Sequence, residues 1–438
     1  MQKKNINLGF RGWMLVLFQA IAFLTFVIST NWPLNMLTEI MPDVYGTADA
    51  LAPLYTISML VGIVLQLVLN PFIGRIKSIK RMVLLFGAVT MVAWLGIMII
   101  KGGALWTAAY FIACVFSTMY ACFAIGILVG QWFPRRKGTV MGIATFAFPI
   151  GNGLLGAFAG LIFRKGYPDV FGAFLPFFIL GIVGLAIGII FIKDYPEQVG
   201  AYRDNDKSLS PEVAKAMMEQ EITNKKTSVW KLGPVLKSPD FWFVTIPMGA
   251  LLMCSVGMMT QTTAIIGNYP SLPFEGIMAM IMVVACIGSW LLGVLDTKFG
   301  TKLAILISVL VMLLAGIFGV IGSTVTMVIA LVLLAIFMGA ASNFTVSAAA
   351  QYWRREDFPS VFAVVNPIAN ILQCIGPMMV AMTLNAVGIQ MPFIITAVLA
   401  AISFVLILCF KPARVKSTDD KYRTTAGKPL DDALVGRK

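Results

Sequence analysis

The sequence predicts an all-α membrane protein: twelve transmembrane helices in two six-helix, pseudo-symmetric bundles. Three observations support this prediction. They are long runs without a charged side chain, a one-sided distribution of basic residues, and a partial repeat between the two halves. An ionised side chain at the bilayer centre costs about 2.5 to 3.5 kcal/mol, so an uncharged run of about 20 residues indicates a spanning helix.

Uncharged runs define the predicted helices in chain order. Eight of them suit one helix each: 13–38, 50–74, 82–100, 102–134, 138–163, 170–192, 241–274 and 276–295. Two further runs, 303–353 and 358–410, have double length. They contain helix-breaking residues at 322–324 and between 385 and 392, so each is expected to fold back as a pair of helices.

The basic residues predict the orientation of these helices. Of 33 Lys and Arg residues, 30 fall on one side of the predicted membrane, and only Lys101, Arg164 and Lys165 fall on the other. The positive side faces the cytoplasm, which predicts a multi-pass protein of the cytoplasmic membrane with both termini inside. The net charge of +13 therefore indicates contact with anionic lipid and no nucleic-acid partner. The first run is too long for a removable signal peptide.

The sequence lacks the histidines and the closely spaced cysteines that usually form catalytic or metal-binding sites. The chain has no histidine, and its six cysteines all lie within spanning runs without a CxxC pair: Cys114, Cys122, Cys254, Cys286, Cys374 and Cys409. Disulfides, a zinc site and enzymatic chemistry are therefore not expected. No cofactor and no metal are predicted.

Changes in composition divide the chain into four parts. Residues 1–192 form the first bundle, 193–240 a charged linker, 241–411 the second bundle and 412–438 a polar tail. Ser210, followed by proline and glutamate, predicts the start of a short surface helix over residues 211–226 of the linker. The tail is poor in apolar residues and is predicted to be disordered.

Two segments of the first half recur in the second. Residues 131–137, QWFPRRK, correspond to 351–357, QYWRRED, at an offset of 220, and residues 74–81 correspond to 295–302 at an offset of 221. Two matches at nearly one period indicate a duplicated six-helix unit. Parallel repeats of this kind enclose a cavity near the membrane midplane.

The segment GVLDTKFGTK, residues 293–302, resembles the loop motif of the major facilitator superfamily, and the resemblance covers residues 11 to about 412. Asp296, Lys298, Gly300 and Lys302 occupy the acidic, basic, glycine and second basic positions of that motif. They are accordingly candidates for a gating role between helices. The equivalent loop of the first half contributes the basic candidates Arg75 and Arg81. It departs from the motif, because Arg75 stands where Asp296 does.

Three shorter segments resemble one branch of that superfamily, the oxalate/formate antiporter and monocarboxylate porter group. They are Arg11-Gly12-Trp13, residues 195–202 (YPEQVGAY) and residues 236–242 (LKSPDFW). This resemblance implies a secondary transporter of a small, monocarboxylate-type organic acid that works as one copy. Members usually carry basic residues within the helices of the second half, and this chain has none between their ends.

The absence of buried charge restricts the expected solute. A dicarboxylate, a phosphate or nitrate needs a cationic partner in a low-dielectric cavity. The remaining solutes are a monocarboxylate held by amide and hydroxyl groups, or a neutral, zwitterionic or amphipathic compound. Export or facilitated diffusion of neutral or amphipathic compounds is thus the alternative function. A signalling protein on this fold is disfavoured by the short tail.

The resemblance implies that helices one, four, seven and ten line the cavity. Polar residues on them are the substrate-binding candidates: Gln19, Asn31 and Asn35, then Ser117 and Tyr120, then Gln261 and Thr262, then Asn343 and Ser347. Polar side chains avoid lipid, so they point either into the cavity or into hydrogen bonds between helices. Asn370 and Gln373 on helix eleven are weaker candidates, which alternatively satisfy backbone groups near Pro377.

Glu39 is the candidate for proton coupling, because it lies one helical turn from Asn35 near the outer end of helix one. The alternative is that Glu39, like Asp43 and Glu275, marks the membrane boundary. If neither Glu39 nor Glu275 couples proton movement to transport, the protein is a facilitator or an exchanger.

Overall fold

The computed structural model describes residues 7–69, 76, 78–124, 128–133, 140, 143–154, 169–206, 210, 212–213, 216, 219, 228–354 and 357–428. Within these residues all regular secondary structure is helical, and eleven helices are long and apolar enough to span a membrane. A shorter apolar helix, Ile143–Leu154, lies inside the run predicted as the fifth span. The predicted fold class is therefore confirmed.

The helices are numbered here in chain order. The first six are α1 Gly9–Ile40, α2 Ala48–Leu69, α3 Ile79–Ile99, α4 Gly103–Phe123, α5 Ile143–Leu154 and α6 Val170–Phe191. The next seven are α7 Pro239–Thr260, α8 Phe274–Phe299, α9 Thr301–Ile321, α10 Thr324–Tyr352, α11 Phe358–Ala386, α12 Gln390–Cys409 and α13 Pro412–Thr425. Short helices cover Pro42–Tyr45, Val129–Trp132, Pro196–Val199, Arg203–Asn205, Leu232–Lys237 and Thr262–Gly267. Both double-length runs break where predicted.

Contacts between helix ends define two ends of the molecule. At one end, called the terminal end because the first and last described residues, Asn7 and Lys428, lie there, Lys302 at the start of α9 donates from Nζ to the carbonyl of Phe410 after α12, at 2.7 Å. At the opposite end, the Tyr269 hydroxyl donates to the carbonyl of Gly322 between α9 and α10, at 2.9 Å. The spanning helices alternate in direction between these two ends.

The same lysine contact occurs in both halves. Lys80 at the start of α3 donates from Nζ to the carbonyl of Ile189 near the end of α6, at 2.8 Å. Lys302 makes the equivalent bonds from α9 to the end of α12. Each lysine satisfies carbonyl groups that a helix C-terminus leaves without intrahelical partners. This correspondence supports duplication of a six-helix unit.

The loop motif of the second half joins α8, α9 and α10. The Thr301 hydroxyl donates to Asp296 at 2.5 Å, and the Thr301 backbone N–H donates to Gln351 Oε1 at 2.8 Å. The Lys302 backbone N–H donates to the Tyr352 hydroxyl at 2.6 Å. The two segments that revealed the sequence repeat, 295–302 and 351–357, therefore contact each other.

The remaining loop-motif candidates have different environments. Lys298 is exposed at the end of α8, and the exposed Arg81 donates its backbone N–H to Ser78 Oγ at the start of α3. Arg75 lies outside the described residues. A gating role for this group of residues remains a prediction.

The prediction of a disordered tail is wrong for residues 412–425, which form the helix α13. Its composition is polar, but Val415, Asp419 and Arg423 recur every four residues and are buried on one face. Charged groups on that face pair with charges elsewhere in the fold, which composition alone does not reveal. Residues 429–438 lie outside the described residues.

A cluster of buried charges, the C-terminal ion cluster, binds α13 to the second half. It consists of Arg354, Asp357, Asp419 and Arg423. Asp419 accepts hydrogen bonds from Arg354 Nε at 2.6 Å and from Arg423 Nε at 3.2 Å, and Arg423 also pairs with Asp357. Asp357 and Arg354 belong to the α10–α11 connection, so α13 and that connection form one unit.

The end of the linker docks on the same cluster. Ser228 donates from Oγ to Asp357 at 2.6 Å, and the fully buried Trp230 donates from Nε1 to Asp419 at 2.8 Å. Most of the predicted surface helix at 211–226 lies outside the described residues. Its predicted cap is present, since Ser210 Oγ accepts from the Val213 N–H at 3.3 Å.

A second ion pair links α13 to the start of α7. Arg414 donates from Nε and Nη2 to the two carboxylate oxygens of Asp240, at 2.5 and 2.7 Å. These hydrogen bonds raise the pKa of Arg414 above its ordinary value. The Asp240 carboxylate also accepts from the Lys411 backbone N–H at 3.1 Å, which holds the first turn of α13 in place.

Gly300 is expected to be sensitive to substitution because its φ is +92°, a backbone conformation that disfavours side chains. Gly300→Ala should lower the free energy of unfolding by about 1 to 2 kcal/mol. Gly293→Ala, within α8 and with open space around its Cα, is the control and should be neutral or stabilising by up to about 1 kcal/mol. Thermal unfolding of purified protein in detergent measures both changes. Equal melting temperatures for the two variants would contradict the expectation.

Candidate functional site

A central cavity lies between the two six-helix halves. The first half contributes side chains from α1, α2, α4 and α5 to its walls, and the second half contributes them from α7, α10 and α11. The polar members of the lining are Thr118, Cys122, Thr145, Ser342, Asn366, Asn370 and Gln373. The apolar members are Phe23, Phe26, Met59, Ile63, Ala121, Phe148, Leu252, Val256, Met338, Val346 and Phe362. None of these described lining residues is charged.

A row of three amide side chains runs along one face of α11. Asn366, Asn370 and Gln373 are four and three residues apart, so they lie on the same side of the helix and all face the cavity. The Thr345 hydroxyl lies 3.2 Å from both Asn366 Oδ1 and the Ser342 carbonyl, and its hydrogen is shared between these two acceptors. The Asn366 amide carries two N–H donors in addition to this oxygen. The second half therefore offers hydrogen-bond donors.

Hydroxyl groups in the wall use their hydrogens within the protein. Thr118 donates to the Cys114 carbonyl at 2.7 Å, and Ser342 donates to the Gly339 carbonyl at 3.0 Å. Thr145 donates to Asn343 Oδ1 at 2.9 Å, across the boundary between the halves. The hydroxyl oxygens retain acceptor capacity, so amide N–H groups are the main donors of the cavity.

Aromatic rings form much of the wall contributed by the first half. Phe23 stacks on Phe26 with ring centroids 5.8 Å apart, and it also contacts Phe148 at 5.9 Å. Such groups bury apolar surface of a bound molecule and offer it no strong hydrogen-bond partner. The described lining is thus mainly aromatic on the side of α1 and α5, apart from Thr145, and hydrogen-bonding on the side of α11.

Two of the predicted binding residues, Asn370 and Gln373, line this cavity, and Asn343 borders it through its bond with Thr145. Asn366 was missed by the sequence reasoning. The signal that identifies it is its spacing of four residues from Asn370, which extends the amide row by one helical turn.

Most other predicted binding residues are absent from the cavity lining and bond to neighbouring helices or to their own helix. The bonds run from Gln19 Nε2 to the Ala124 carbonyl at 2.9 Å, from Asn31 Nδ2 to Asn152 Oδ1 at 3.2 Å, from Ser117 Oγ to the Cys114 carbonyl at 3.3 Å, and from Thr262 Oγ1 to the Met258 carbonyl at 3.0 Å. These contacts agree with the alternative that such polar residues form hydrogen bonds within the protein and do not bind the solute. A direct contact of these residues with a solute stays a prediction.

The last predicted residues have varied surroundings. Tyr120 is fully buried beside Phe18, with ring centroids 5.8 Å apart. Ser347 is half-buried on α10, and Gln261 is buried at the point where α7 ends. None of these three belongs to the lining of the central cavity.

Hydrogen bonds between the halves form a seal at the opposite end. The Thr56 hydroxyl of α2 donates to the Cys374 carbonyl of α11 at 2.7 Å, and Asn385 Nδ2 donates to Asp49 Oδ1 at 2.5 Å. Asn35 of α1 bonds to residues of the second half at the same end. The cavity-lining amides of α11 precede Cys374, so the cavity lies on the terminal side of this seal.

Glu39 lies on the other side of the seal. It lines a second pocket together with Glu275 and Tyr269, and its side chain is exposed. The predicted coupling residue is therefore separated from the central cavity in this conformation. Among the described residues, no group of three or more His, Cys, Asp or Glu side chains could hold a metal ion.

Comparison with known proteins concerns nearly the whole chain. The sequence matches the family described as Major Facilitator Superfamily over residues 14–321 and 271–434. No curated protein matches the sequence. The fold is similar to a solved structure described as a bacterial homolog to human lysosomal transporter, Spinster, in inward-facing and unoccupied conformation. The TM-score is 0.63 and the identity 14%, over 93% of this chain and 98% of that one.

Proposed function

Because this chain belongs to the major facilitator superfamily, and is a multi-pass membrane transporter rather than an enzyme, we propose that it moves a small organic solute by alternating access. The solute has an apolar body and one hydrogen-bonding head. A monocarboxylate-type organic acid is the main candidate class. The observation that carries this proposal is the cavity with an amide row on one side and aromatic rings on the other.

The amide row favours a single carboxylate head. Hydrogen bonds to an ionised acceptor contribute more than bonds between neutral groups, and several of them stabilise the charged form of a buried carboxylate. Asn366, Asn370 and Gln373 supply such donors from one helix face. A second carboxylate on the same solute would meet the apolar wall, where an unpaired charge is costly. The aromatic side of the cavity suits an alkyl or aryl body.

Neutral or amphipathic organic compounds are the second candidate class. The specific observation in their favour is that no described residue of the lining is charged. A facilitator or exporter of such compounds needs only the apolar wall and one or two hydrogen bonds.

Uptake into proteoliposomes distinguishes the two classes. The panel consists of a labelled aryl monocarboxylate, its primary amide as the neutral isostere, and a dicarboxylate of similar size. Saturable uptake of the monocarboxylate above that of the amide supports the proposal. Equal or greater uptake of the amide would favour the second class, and preference for the dicarboxylate would contradict both.

The charge distribution supports placing the terminal end in the cytoplasm. In that orientation the seal at Thr56 and Asn385 closes the cavity toward the outside. The protein is proposed to act as one copy in the cytoplasmic membrane, in contact with anionic lipid on its basic side. Accessibility of single cysteines to an impermeant reagent in intact cells checks the orientation.

We also propose Glu39 as the residue that exchanges protons with the outside. Glu39→Gln, which cannot ionise, is expected to abolish accumulation driven by a pH gradient and to leave solute counterflow unchanged. Glu275→Gln, in the same pocket, is the matched control and should retain both activities. Undiminished pH-driven accumulation in Glu39→Gln would show that Glu39 only marks the membrane boundary.

A further inference from the structure

Asn35 of α1 reaches from the first half into the second. It lies in a π-helical turn, Pro33–Leu37, and its side chain is 1% exposed. A π-helical turn contains an extra residue compared with an α-helical turn, and such turns frequently occur at functional sites. Asn35 is therefore held in a segment whose backbone already departs from regular helix.

The side chain of Asn35 bonds on both sides of an interruption in α7. This helix ends at Thr260, Gln261 has φ −119° and ψ 16°, and a new short helix begins at Thr262. Asn35 Nδ2 donates to the Met259 carbonyl at 2.6 Å. Asn35 Oδ1 accepts from the Thr263 backbone N–H at 3.1 Å and from the Thr263 hydroxyl at 2.6 Å.

Met259 and Thr263 are four residues apart, and their carbonyl and N–H would bond to each other in a continuous α-helix. The amide of Asn35 stands between these two groups and bonds to each. Insertion of a side chain into the backbone hydrogen bonds of a helix is a recognised cause of helix kinks. Here the inserted group comes from the other half of the protein.

The interruption also carries a local cost. Gln261 is 2% exposed, and its Nε2 has no hydrogen-bond partner among the described residues. A buried donor without a partner destabilises the conformation that contains it. In this conformation the Asn35 amide supplies the hydrogen bonds that the Met259 carbonyl and the Thr263 N–H do not make with each other.

We propose that Asn35 is a positioning residue of the transport cycle. While the opposite end is closed, its amide joins the interrupted backbone of α7, and when it withdraws, Thr263 N–H bonds directly to the Met259 carbonyl. Opening of the seal and straightening of α7 are then one coupled event. This proposal rests on the chain being an alternating-access transporter and is independent of which solute it carries.

Straightening would change the second pocket as well. Thr263, Ile266 and Tyr269 form part of the wall of that pocket, and all three follow the interruption in α7. The segment after the interruption therefore lines the second pocket, at the end where the halves separate. When they separate, straightening of α7 is expected to change the shape of this pocket.

The experiment measures two distances between spin labels in solute-free protein with its six cysteines replaced. Labels at Ala50 and Val387, both exposed at the opposite end, report on separation of the halves. Labels at Asn268 and Val325, both exposed within the second half, report on the segment after the interruption. Asn35→Leu is expected to reduce the ratio of closed to open molecules about a hundredfold, through loss of three hydrogen bonds.

Both distances should change together in Asn35→Leu. Thr56→Val is the matched control, because it removes one hydrogen bond between the halves without touching α7, and it should shift the ratio only about fivefold. Thr263→Val removes only the hydroxyl contact and replaces Asn35→Leu in the experiment if that variant does not fold. It should shift both distances in the same direction by a smaller amount.

Separation of the halves with an unchanged Asn268 to Val325 distance would overturn the coupling. An unchanged Ala50 to Val387 distance would overturn the role of Asn35.

Discussion

Asp419→Ala is expected to lower the free energy of unfolding of the second half by about 3 to 5 kcal/mol, the usual cost of removing one member of a buried ion pair. Asp419 accepts hydrogen bonds from Trp230, Arg354 and Arg423, and all three donors are buried. Without the carboxylate, the charges of Arg354 and Arg423 lose a shared partner in a site with little access to water. The docked linker end should loosen at the same time.

The neighbouring Asp420 provides a matched control. Its side chain is 39% exposed and makes one 3.4 Å contact with Arg354, so Asp420→Ala should cost less than about 1 kcal/mol. Apparent melting temperatures of the purified proteins in one detergent measure both effects. Similar melting temperatures for the two variants would mean that the C-terminal ion cluster contributes no more than a surface ion pair.

Asn370→Leu is expected to reduce the ratio kcat/KM for the transported solute roughly ten- to a hundredfold. A hydrogen bond to a charged group contributes about 1.5 to 3 kcal/mol, and leucine of similar volume cannot make one. Asn370 is the middle member of the amide row, flanked by Asn366 and Gln373, so its loss interrupts the row. Initial rates of uptake into proteoliposomes at equal protein content give this ratio.

Asn268→Leu is the control for the same change of residue type. Asn268 is exposed at the opposite end and donates to the Ala264 carbonyl of its own helix, so transport should remain near the unmodified rate. Full activity of Asn370→Leu would place the solute head away from α11. Loss of activity in both variants would point to a general effect on folding.

The amide row could be predicted only in part. The resemblance to the superfamily implies a cavity lined by helices one, four, seven and ten, and it makes Asn370 and Gln373 of helix eleven weaker candidates. The structure places Asn366, Asn370 and Gln373 in the lining, because α2 and α11 meet at the boundary of the two halves. A polar residue within a spanning helix is predicted to point away from lipid. Its position in the sequence does not show whether it then faces the cavity or a neighbouring helix.

The misjudged tail has a similar origin. Composition describes α13 as polar and therefore predicts disorder, since few apolar groups are available to offset the entropy of folding. Its stabilising contacts are ion pairs with Arg354 and Asp357, which lie more than 60 residues earlier in the chain. Such pairs become visible only once the α10–α11 connection and α13 are next to each other.

The sequence by itself determined the class of the protein, the number and breaks of its spanning segments, and the expected chemistry of an uncharged cavity. These properties follow from local rules, because the bilayer acts separately on each run of about 20 residues. Tertiary structure decided which polar side chains face the cavity and which hold helices together. Gln19 meets a partner 105 residues away, Asn31 one 121 residues away and Asn35 one 228 residues away. Hydrogen bonds over such separations depend on how the helices pack, and the residues next to each amide in the sequence do not determine that packing.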